Sequence, residues 1–475
     1  MADEDPLDRA LAIARAYIAS RGDRPVWPTA TLDELRAALG GALPANPIEP
    51  IAVIDALARA AEPGLVATTG PRYFGFVTGG ALPATVAAEW LTAAWDQNVG
   101  LFVMSPAGAV VEEVAGAWLR DLLGVPASAS VGFVSGCHMA NFTGLAAARH
   151  EILRRAGWDV EADGLQGAPP LRVLVGDEVH VSVLGALRYL GIGTSQVERV
   201  DVDGQGRMQP EALATALASG SGPTIVCAQA GNVNTGAFDP FETIVDLAHV
   251  HDAWVHVDGA FGLWAAASPT LTHHVAGVGR ADSWATDAHK WLNVPYDSGL
   301  VFVAHPAAHR AAMSFSAAYL MRSGDEPREA MDWTPESSRR GRGFAIYAAL
   351  RSLGRSGVAD MIERCCRLAR RFADRLSAEP SIRILNDVVL NQVLVRVEPA
   401  ADVARGFRRA TDGDADAATR EALKRVQDER VCWLGGTRWH GMDAMRISVS
   451  NWSTTEKDVD LSADSIIRAV RHAPL

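Results

Sequence analysis

Lysine is scarce in this 475-residue chain. Of its 44 lysines and arginines only Lys290, Lys424 and Lys457 are lysine. The first sits in Asp287-Ala288-His289-Lys290-Trp291, an apolar and aromatic setting. Arginine stays protonated and is a poor nucleophile, whereas a desolvated lysine amine can lose its proton and attack a carbonyl to form a Schiff base. A single lysine that escaped replacement by arginine explains the position equally well. Its neighbours decide.

Asp258 follows Val255-His256-Val257 and precedes Gly259-Ala260-Phe261. A carboxylate at the end of a buried strand needs a partner, since an isolated buried charge costs several kcal/mol. A protonated ring nitrogen is one such partner; a helix cap or an arginine is the ordinary alternative. Gly259 and Ala260 are small enough to let a flat ring lie against the backbone. Gly136-Cys137-His138 follows an apolar run and opens a helical one, where free N–H groups and the positive helix end make a phosphate cradle. His180 stands in Gly176-Asp177-Glu178-Val179-His180; an imidazole is flat enough to stack on an aromatic ligand and is a side chain suited to acid–base work, though most single histidines are merely satisfied or solvated. His289 either contacts a phosphate or packs.

Other chemistries lack their residues. His273-His274 and the scattered acids show no metal-ligand spacing, so no metal is expected. No G-x-S-x-G elbow or P-loop is present. Trp95, Trp284, Trp291 and Trp333 read as core or interface anchors, not as a base-stacking surface.

The elements that must position these groups alternate. Residues 5–20, 32–40, 84–95 and 108–123 have helical spacing, and a helix is predicted from Cys137 to about 155. Short apolar runs at 131–134, 171–175, 197–202, 224–228, 254–257, 282–285 and 300–303 read as strands. Strand–helix alternation predicts an α/β protein with a mostly parallel, seven-stranded sheet covered on both faces, binding its ligand at the carboxyl ends of the strands. From about residue 336 the pattern changes to long helices (343–378), a strand at 388–397, a polar stretch at 399–428 and a late strand at 444–449. That predicts a smaller α+β domain.

Composition excludes several classes. Hydrophobic residues make up 48% and charged residues 21%, the balance of a folded, water-soluble protein with apolar surface for two or three domains. A net charge of −12 leaves no broad basic face, so nucleic acid is not an expected partner. Five cysteines, Cys137, Cys227, Cys365, Cys366 and Cys432, form an odd set without framework spacing and point to a reducing compartment. The acidic Met1-Ala2-Asp3-Glu4-Asp5 lacks the layout of a signal peptide, and no run approaches the roughly 20 apolar residues that span a bilayer. The expectation is a cytoplasmic protein with no membrane partner.

A lysine, an upstream strand-end aspartate, a stacking histidine and a helix-start cradle are together what pyridoxal phosphate (PLP) needs: lysine to carry it, aspartate to keep its ring nitrogen protonated. The sequence resembles the group II PLP-dependent amino-acid decarboxylases of fold type I, which include the aromatic-L-amino-acid and glutamate decarboxylases. Asp287-Ala-His-Lys290-Trp-Leu-Asn-Val-Pro-Tyr296-Asp-Ser-Gly299 is similar to the family's lysine motif and His256-Val-Asp258-Gly-Ala260-Phe to its aspartate motif. Pro71-Arg-Tyr-Phe74-Gly-Phe and Ser105-Pro106-Ala with Glu112 resemble its N-terminal segments. Arg340-Gly-Arg-Gly-Phe344 through Gly354 resembles the opening of its C-terminal domain. The resemblance implies that Lys290 is the Schiff-base lysine, Asp258 the partner of the ring nitrogen, Ala260 a ring contact and His180 the stacking and acid–base group. It places Gly136, Cys137, His138, His289 and Asn232 around the cofactor, with Phe74 and Arg446 toward the substrate. It also implies an N-terminal helical segment (1–70) that associates a homodimer with its active site at the subunit interface, a PLP-binding large domain (71–335) and a small domain (336–475).

Three departures from the family pattern stand out. The phosphate loop usually reads Gly-Gly-Ser/Thr, where this chain has Gly136-Cys137-His138. Gly185 stands where a lysine is common. Ala330 falls, by counting back from Trp333, where family decarboxylases place a loop tyrosine that helps protonate the substrate carbon; Tyr319 and Trp333 lie nearby. The expected reaction is decarboxylation of an L-amino acid to its amine and carbon dioxide, with an aromatic substrate suggested by Tyr73, Phe74, Phe76 and Phe102, residues that serve equally well as core. The alternatives are an oxidative aldehyde synthase on the same scaffold, an aminotransferase, and a non-catalytic scaffold.

Overall fold

The computed structural model describes residues 5–315, 328–398 and 412–472. All seven apolar runs form strands of one sheet: β1 (Ser130–Val134), β2 (Arg172–Gly176), β3 (Val197–Val200), β4 (Thr224–Gln229), β5 (Trp254–Asp258), β6 (Ser283–Asp287) and β7 (Gly299–Val303). Their order is β1-β7-β6-β5-β4-β2-β3. The five from β6 to β3 are mutually parallel, and β7 runs antiparallel to both β6 and β1. β1 therefore points the same way as β5 and β6. The sheet is the mostly parallel one expected, and β1, β4, β5, β6 and β7 are buried along their whole length, as strands covered on both faces must be.

The helices before and after β1 are α1 (Pro6–Ser20), α2 (Leu32–Leu39), α3 (Pro50–Ala61), α4 (Pro83–Trp95), α5 (Pro106–Leu122) and α6 (Cys137–Arg155). Local chemistry sets their starts. Asp5 accepts from the N–H of Leu7, and Thr31 with Glu34 closes a capping box at α2. Ala140, Leu145, Ala146, Ala147, Ala148 and Ile152 of α6 join β-strand residues Val134, Val173, Val175, Ile225, Trp254 and Val301 in one apolar core. Small side chains along α6 let it lie close to the sheet.

A second sheet has the order β10-β11-β9-β8, from β8 (Ile382–Ile384), β9 (Gln392–Val397), β10 (Gly435–Trp439) and β11 (Met442–Ser448). The predicted strand at 388–397 begins later, at Gln392. β8 and β10 escape an apolar-run reading because one has three residues and the other opens on Gly435-Gly436. Helix 343–378 is present as Gly343–Ser377, kinked at Gly354 where φ is 62°. In the polar stretch a helix spans Asp412–Glu429, while 399–411 lies outside the described residues.

Two compact units divide the chain out of sequence order. One comprises Met1–Thr78, Arg371–Leu385 and Leu394–Leu475; the other comprises Gly79–Arg370 and Asn386–Val393 and contains the large sheet.

Candidate active site

Sheet direction brings four chain segments to one edge of the second unit. β5 ends there at Asp258, β6 ends at Asp287, β1 leads through Gly136 into α6, and β7 begins at Gly299. Gly299 is paired with both Val134 and Asp287. A Cβ on Gly299 would lie 2.5 Å from the backbone of Gly136, and one on Gly136 would lie 3.1 Å from Cε1 of His289. Glycine at both positions lets these backbones close into a cradle at the start of α6.

Asp287 organises the lysine side of the edge. Its Oδ1 accepts from the Cys137 N–H at 2.5 Å and lies 3.3 Å from Nε2 of His289, while Oδ2 lies 3.1 Å from Nζ of Lys290. Nδ1 of His289 accepts from the Ser298 N–H at 3.1 Å, so the neutral ring carries its proton on Nε2, facing Asp287. Burial lowers the His289 pKa further than Asp287 restores it. For Lys290 burial also works against the charge, but the Asp287 carboxylate, aided by Asp258, holds the ammonium above the ordinary lysine range.

Asp258, 4% exposed, accepts from the Ala260 N–H at 3.2 Å and from Asn141 Nδ2 at 3.3 Å, and lies 3.4 Å from Sγ of Cys137. Burial, with the charges of Asp258 and Asp287 added, pushes the Cys137 thiol well above its ordinary value. Cys137 is thus an S–H donor here, not a thiolate nucleophile. His180 caps the helix Val181–Tyr189 by accepting the Ser182 N–H at Nδ1, 3.3 Å away, and Nδ1 is 2.7 Å from the Ser182 hydroxyl.

His138 adjoins Cys137 in the first turn of α6. Nε2 of His138 is buried without a hydrogen-bond partner among the described residues. Asn232 is committed to its own turn, accepting from the N–H groups of Asn234 and Thr235 and donating to Glu178 at 3.1 Å. Phe74 and Arg446 belong to the other unit, where Phe74 is 1% exposed and packs edge-on against Phe372 at 5.0 Å. Ala330 is buried at the start of a short 3-10 turn, Ala330–Trp333, and Tyr319 lies outside the described residues.

Sequence reasoning passed over Asp287 and Asn141. Asp287 was in view as the first residue of the lysine motif, three residues before Lys290 and at the end of β6. Asn141 stands one turn after Cys137, a polar residue in an otherwise apolar helix face, and is 0% exposed.

This donor set fits pyridoxal phosphate. A partly buried lysine and a buried carboxylate meet at a strand end, a helix start offers N–H groups, and the unpartnered His138 Nε2 leaves a polar demand unmet beside it. Among the described residues no group of His, Cys, Asp and Glu could hold a metal ion, and no helix is long and apolar enough to cross a membrane.

Comparison with known proteins agrees with that chemistry. An aromatic-L-amino-acid decarboxylase of Bacillus atrophaeus is 28% identical over 443 residues, covering 92% of this chain and 88% of the relative. A phenylacetaldehyde synthase of a Rosa hybrid cultivar is 27% identical over 355 residues, 71% of this chain and 68% of the relative. The crystal structure of Oryza sativa TDC with PLP and tryptamine superposes with a TM-score of 0.90 at 25% identity, covering 98% of this chain and 97% of that one. The family model for the pyridoxal-dependent decarboxylase conserved domain matches residues 33–398. The chain belongs to the pyridoxal-dependent decarboxylases, and is a PLP-dependent carboxy-lyase acting on amino acids.

Proposed function

We propose that the substrate is an aromatic L-amino acid, converted to its amine and carbon dioxide. In this reading Lys290 carries the cofactor, Asp258 faces its ring nitrogen, and Ala260 and His180 take its two faces. Gly136, Cys137, His138 and His289 surround the phosphate, and Asn232 holds a neighbouring turn. The observation that carries the reading is the series of contacts that runs from Lys290 to Asp287, from Asp287 to Cys137 and from Cys137 to Asp258 where β5 and β6 end.

When bound, PLP supplies a ring that takes up the electron pair left on Cα as carbon dioxide departs. The chain's own residues do the rest. Asp287 Oδ2, 3.1 Å from Lys290 Nζ, holds and orients the amine, which must lose its proton before it can attack. The Asp258 carboxylate favours a proton on any nitrogen facing it. His180 Nδ1 accepts from the Ser182 N–H, which leaves Nε2 as the ring nitrogen that can exchange a proton with the substrate, acid–base help that contributes about 10²–10⁴-fold in rate.

The likeness to decarboxylases of aromatic amino acids supports the aromatic substrate. In the first unit the rings suggested for it by the sequence pack among themselves. Tyr73, Trp27 and Phe76 lie 5.0, 5.7 and 5.4 Å from Trp433, and Phe76 is 61% exposed. A homodimer is part of the proposal: α1, α2 and α3 bury none of their residues and expose Leu7, Leu32, Val53 and Leu57. Light scattering at micromolar concentration should give twice the chain mass.

A second reading rests on Ala330. A buried methyl group cannot protonate carbon, so an oxidative route to aldehyde, ammonia and peroxide competes if no other acid replaces the tyrosine. Incubation of the PLP-loaded protein with each common L-amino acid, in air and under nitrogen, separates the two. Amine from tryptophan, tyrosine or phenylalanine in both atmospheres supports the first reading. Aldehyde formed only in air supports the second, and turnover confined to acidic amino acids removes the aromatic assignment.

A further inference from the structure

The residues around Asp258 form a line of hydrogen bonds with only one possible direction. At one end the indole Nε1–H of Trp254 can only donate, and it meets Ser283 Oγ at 2.8 Å. At the other end the Asp258 carboxylate can only accept, and its Oδ2 meets Nδ2 of Asn141. The Asn141 amide must therefore turn its NH2 toward Asp258 and its Oδ1 away, because the flipped amide would set a carbonyl against a carboxylate. Oδ1 then accepts from Nε2 of His256 at 2.9 Å, which fixes the His256 proton on Nε2. Nδ1 of His256 must accept, so the Ser283 hydroxyl, 2.8 Å away, donates to it and keeps its lone pairs for Trp254.

Strand geometry builds this line. Trp254, His256 and Asp258 alternate along β5 and share one sheet face, and Ser283 stands opposite His256 in the parallel pairing with β6. α6 lays Asn141 over that face. Burial holds His256 neutral, its pKa pushed down to about 4.

The amide has a second hydrogen, and Nδ2 also lies 3.3 Å from Ser182 Oγ, the hydroxyl next to Nδ1 of His180. A planar NH2 group thus faces both Asp258 and the Ser182–His180 pair, and its two N–H directions cannot turn independently. We infer that Asn141 is a positioning residue that couples the carboxylate facing the cofactor ring to the imidazole stacked on it, oriented from behind by His256, Ser283 and Trp254. The inference rests on the roles proposed above for Asp258 and His180.

The test uses the full-length holoenzyme loaded with PLP labelled with nitrogen-15 in the ring. The ring-nitrogen resonance, the PLP dissociation constant, kcat and KM are measured for the parent, Asp258→Asn, Asn141→Leu, Ser182→Ala and Ser283→Ala. Asp258→Asn should move the resonance toward unprotonated pyridine; an unmoved signal overturns the placement of Asp258 itself. Asn141→Leu should move it in the same direction and lower kcat by about ten- to a hundred-fold with a smaller change in KM, the range that outer hydrogen-bond partners command in metal sites. Ser182→Ala cuts only the His180 branch, so kcat should fall while the resonance stays put. A parental resonance in Asn141→Leu, beside a displaced one in Asp258→Asn, overturns the coupling. If Asn141→Leu does not fold, Ser283→Ala, which loses a single hydroxyl, decides in its place: a small movement in the same direction supports the line and none refutes it.

Discussion

His138 fills the space that a side chain at Gly185 would need: a Cβ there would lie 3.0 Å from Nε2 of His138. Both positions depart from the pattern of the family that the sequence resembles, one losing a hydroxyl and the other a lysine. The departures touch, so they form one exchange in which glycine makes room and the imidazole, tilted against Tyr189 at 5.3 Å, occupies it. Residues in contact couple by about 0.5–3 kcal/mol, whereas distant ones add. Gly185→Lys and His138→Ser should each weaken PLP binding by about tenfold, and the double variant should recover most of that loss. A four-corner cycle of PLP dissociation constants checks this, and strictly additive effects would refute the exchange.

Asp287→Asn should change how the apoprotein takes up its cofactor. The carboxylate holds the Lys290 ammonium above the ordinary lysine range against the pull of burial. With the charge removed, burial prevails and the lysine pKa falls, so more of the amine is neutral at any given pH below it. The pH profile of PLP incorporation, followed by absorbance, should move to lower pH in the variant. An unmoved profile means that proton loss from Lys290 does not limit loading.

Much of this was legible in the chain. The seven strands were readable because parallel strands covered on both faces must be continuous apolar runs, and Asp258 and Lys290 because each is a costly residue at a strand end or in an aromatic setting. What was hidden depends on contacts distant in sequence. Asn141 gains its meaning only when α6 lies over β5. Arg339 is 6% exposed and paired with Glu112, also buried, from α5. Spacing along the chain carries no sign of that pairing.

Breaking that pair should be costly. Arg339 Nη1 donates to Glu112 Oε1 at 2.8 Å. Burial pushes the Glu112 pKa up, against the opposing charges of Arg339 and Arg328. Arg339→Leu leaves a carboxylate stranded in the interior, and removal of one partner of a buried pair typically destabilises by about 3–5 kcal/mol. Urea unfolding monitored by tryptophan fluorescence should register a loss of that size, and a change below about 1 kcal/mol would mean that Arg328 alone suffices to hold Glu112.

Acid should weaken the fold through its buried neutral histidines, and His309 isolates the effect. Nδ1 of His309 meets the Ser130 hydroxyl at 2.8 Å, and Nε2 donates to the Trp333 carbonyl at 3.0 Å, so both ring nitrogens are used by the neutral form. Burial, with Arg328 adding, pushes its pKa down to about 3 from an ordinary 6.5. Between those values the unfolded chain binds a proton that the native state does not, so stability rises with pH and falls as the solution is acidified. The slope is about 1.4 kcal/mol per pH unit for each such histidine. His256, with a pKa of about 4, acts with the same sign. Asp239 acts with the opposite sign: burial raises it from 3.8 to about 6, so over that interval the native state holds the proton and offsets about one histidine. His309→Gln keeps an N–H for the Trp333 carbonyl and removes the titration. Its unfolding free energy, measured in urea from pH 6.5 to 5, should fall less steeply than the parent's by about 1 kcal/mol per pH unit, since the unfolded histidine is only half protonated at the start of that range. Parallel lines for the two proteins would mean that His309 titrates alike in the native and unfolded states.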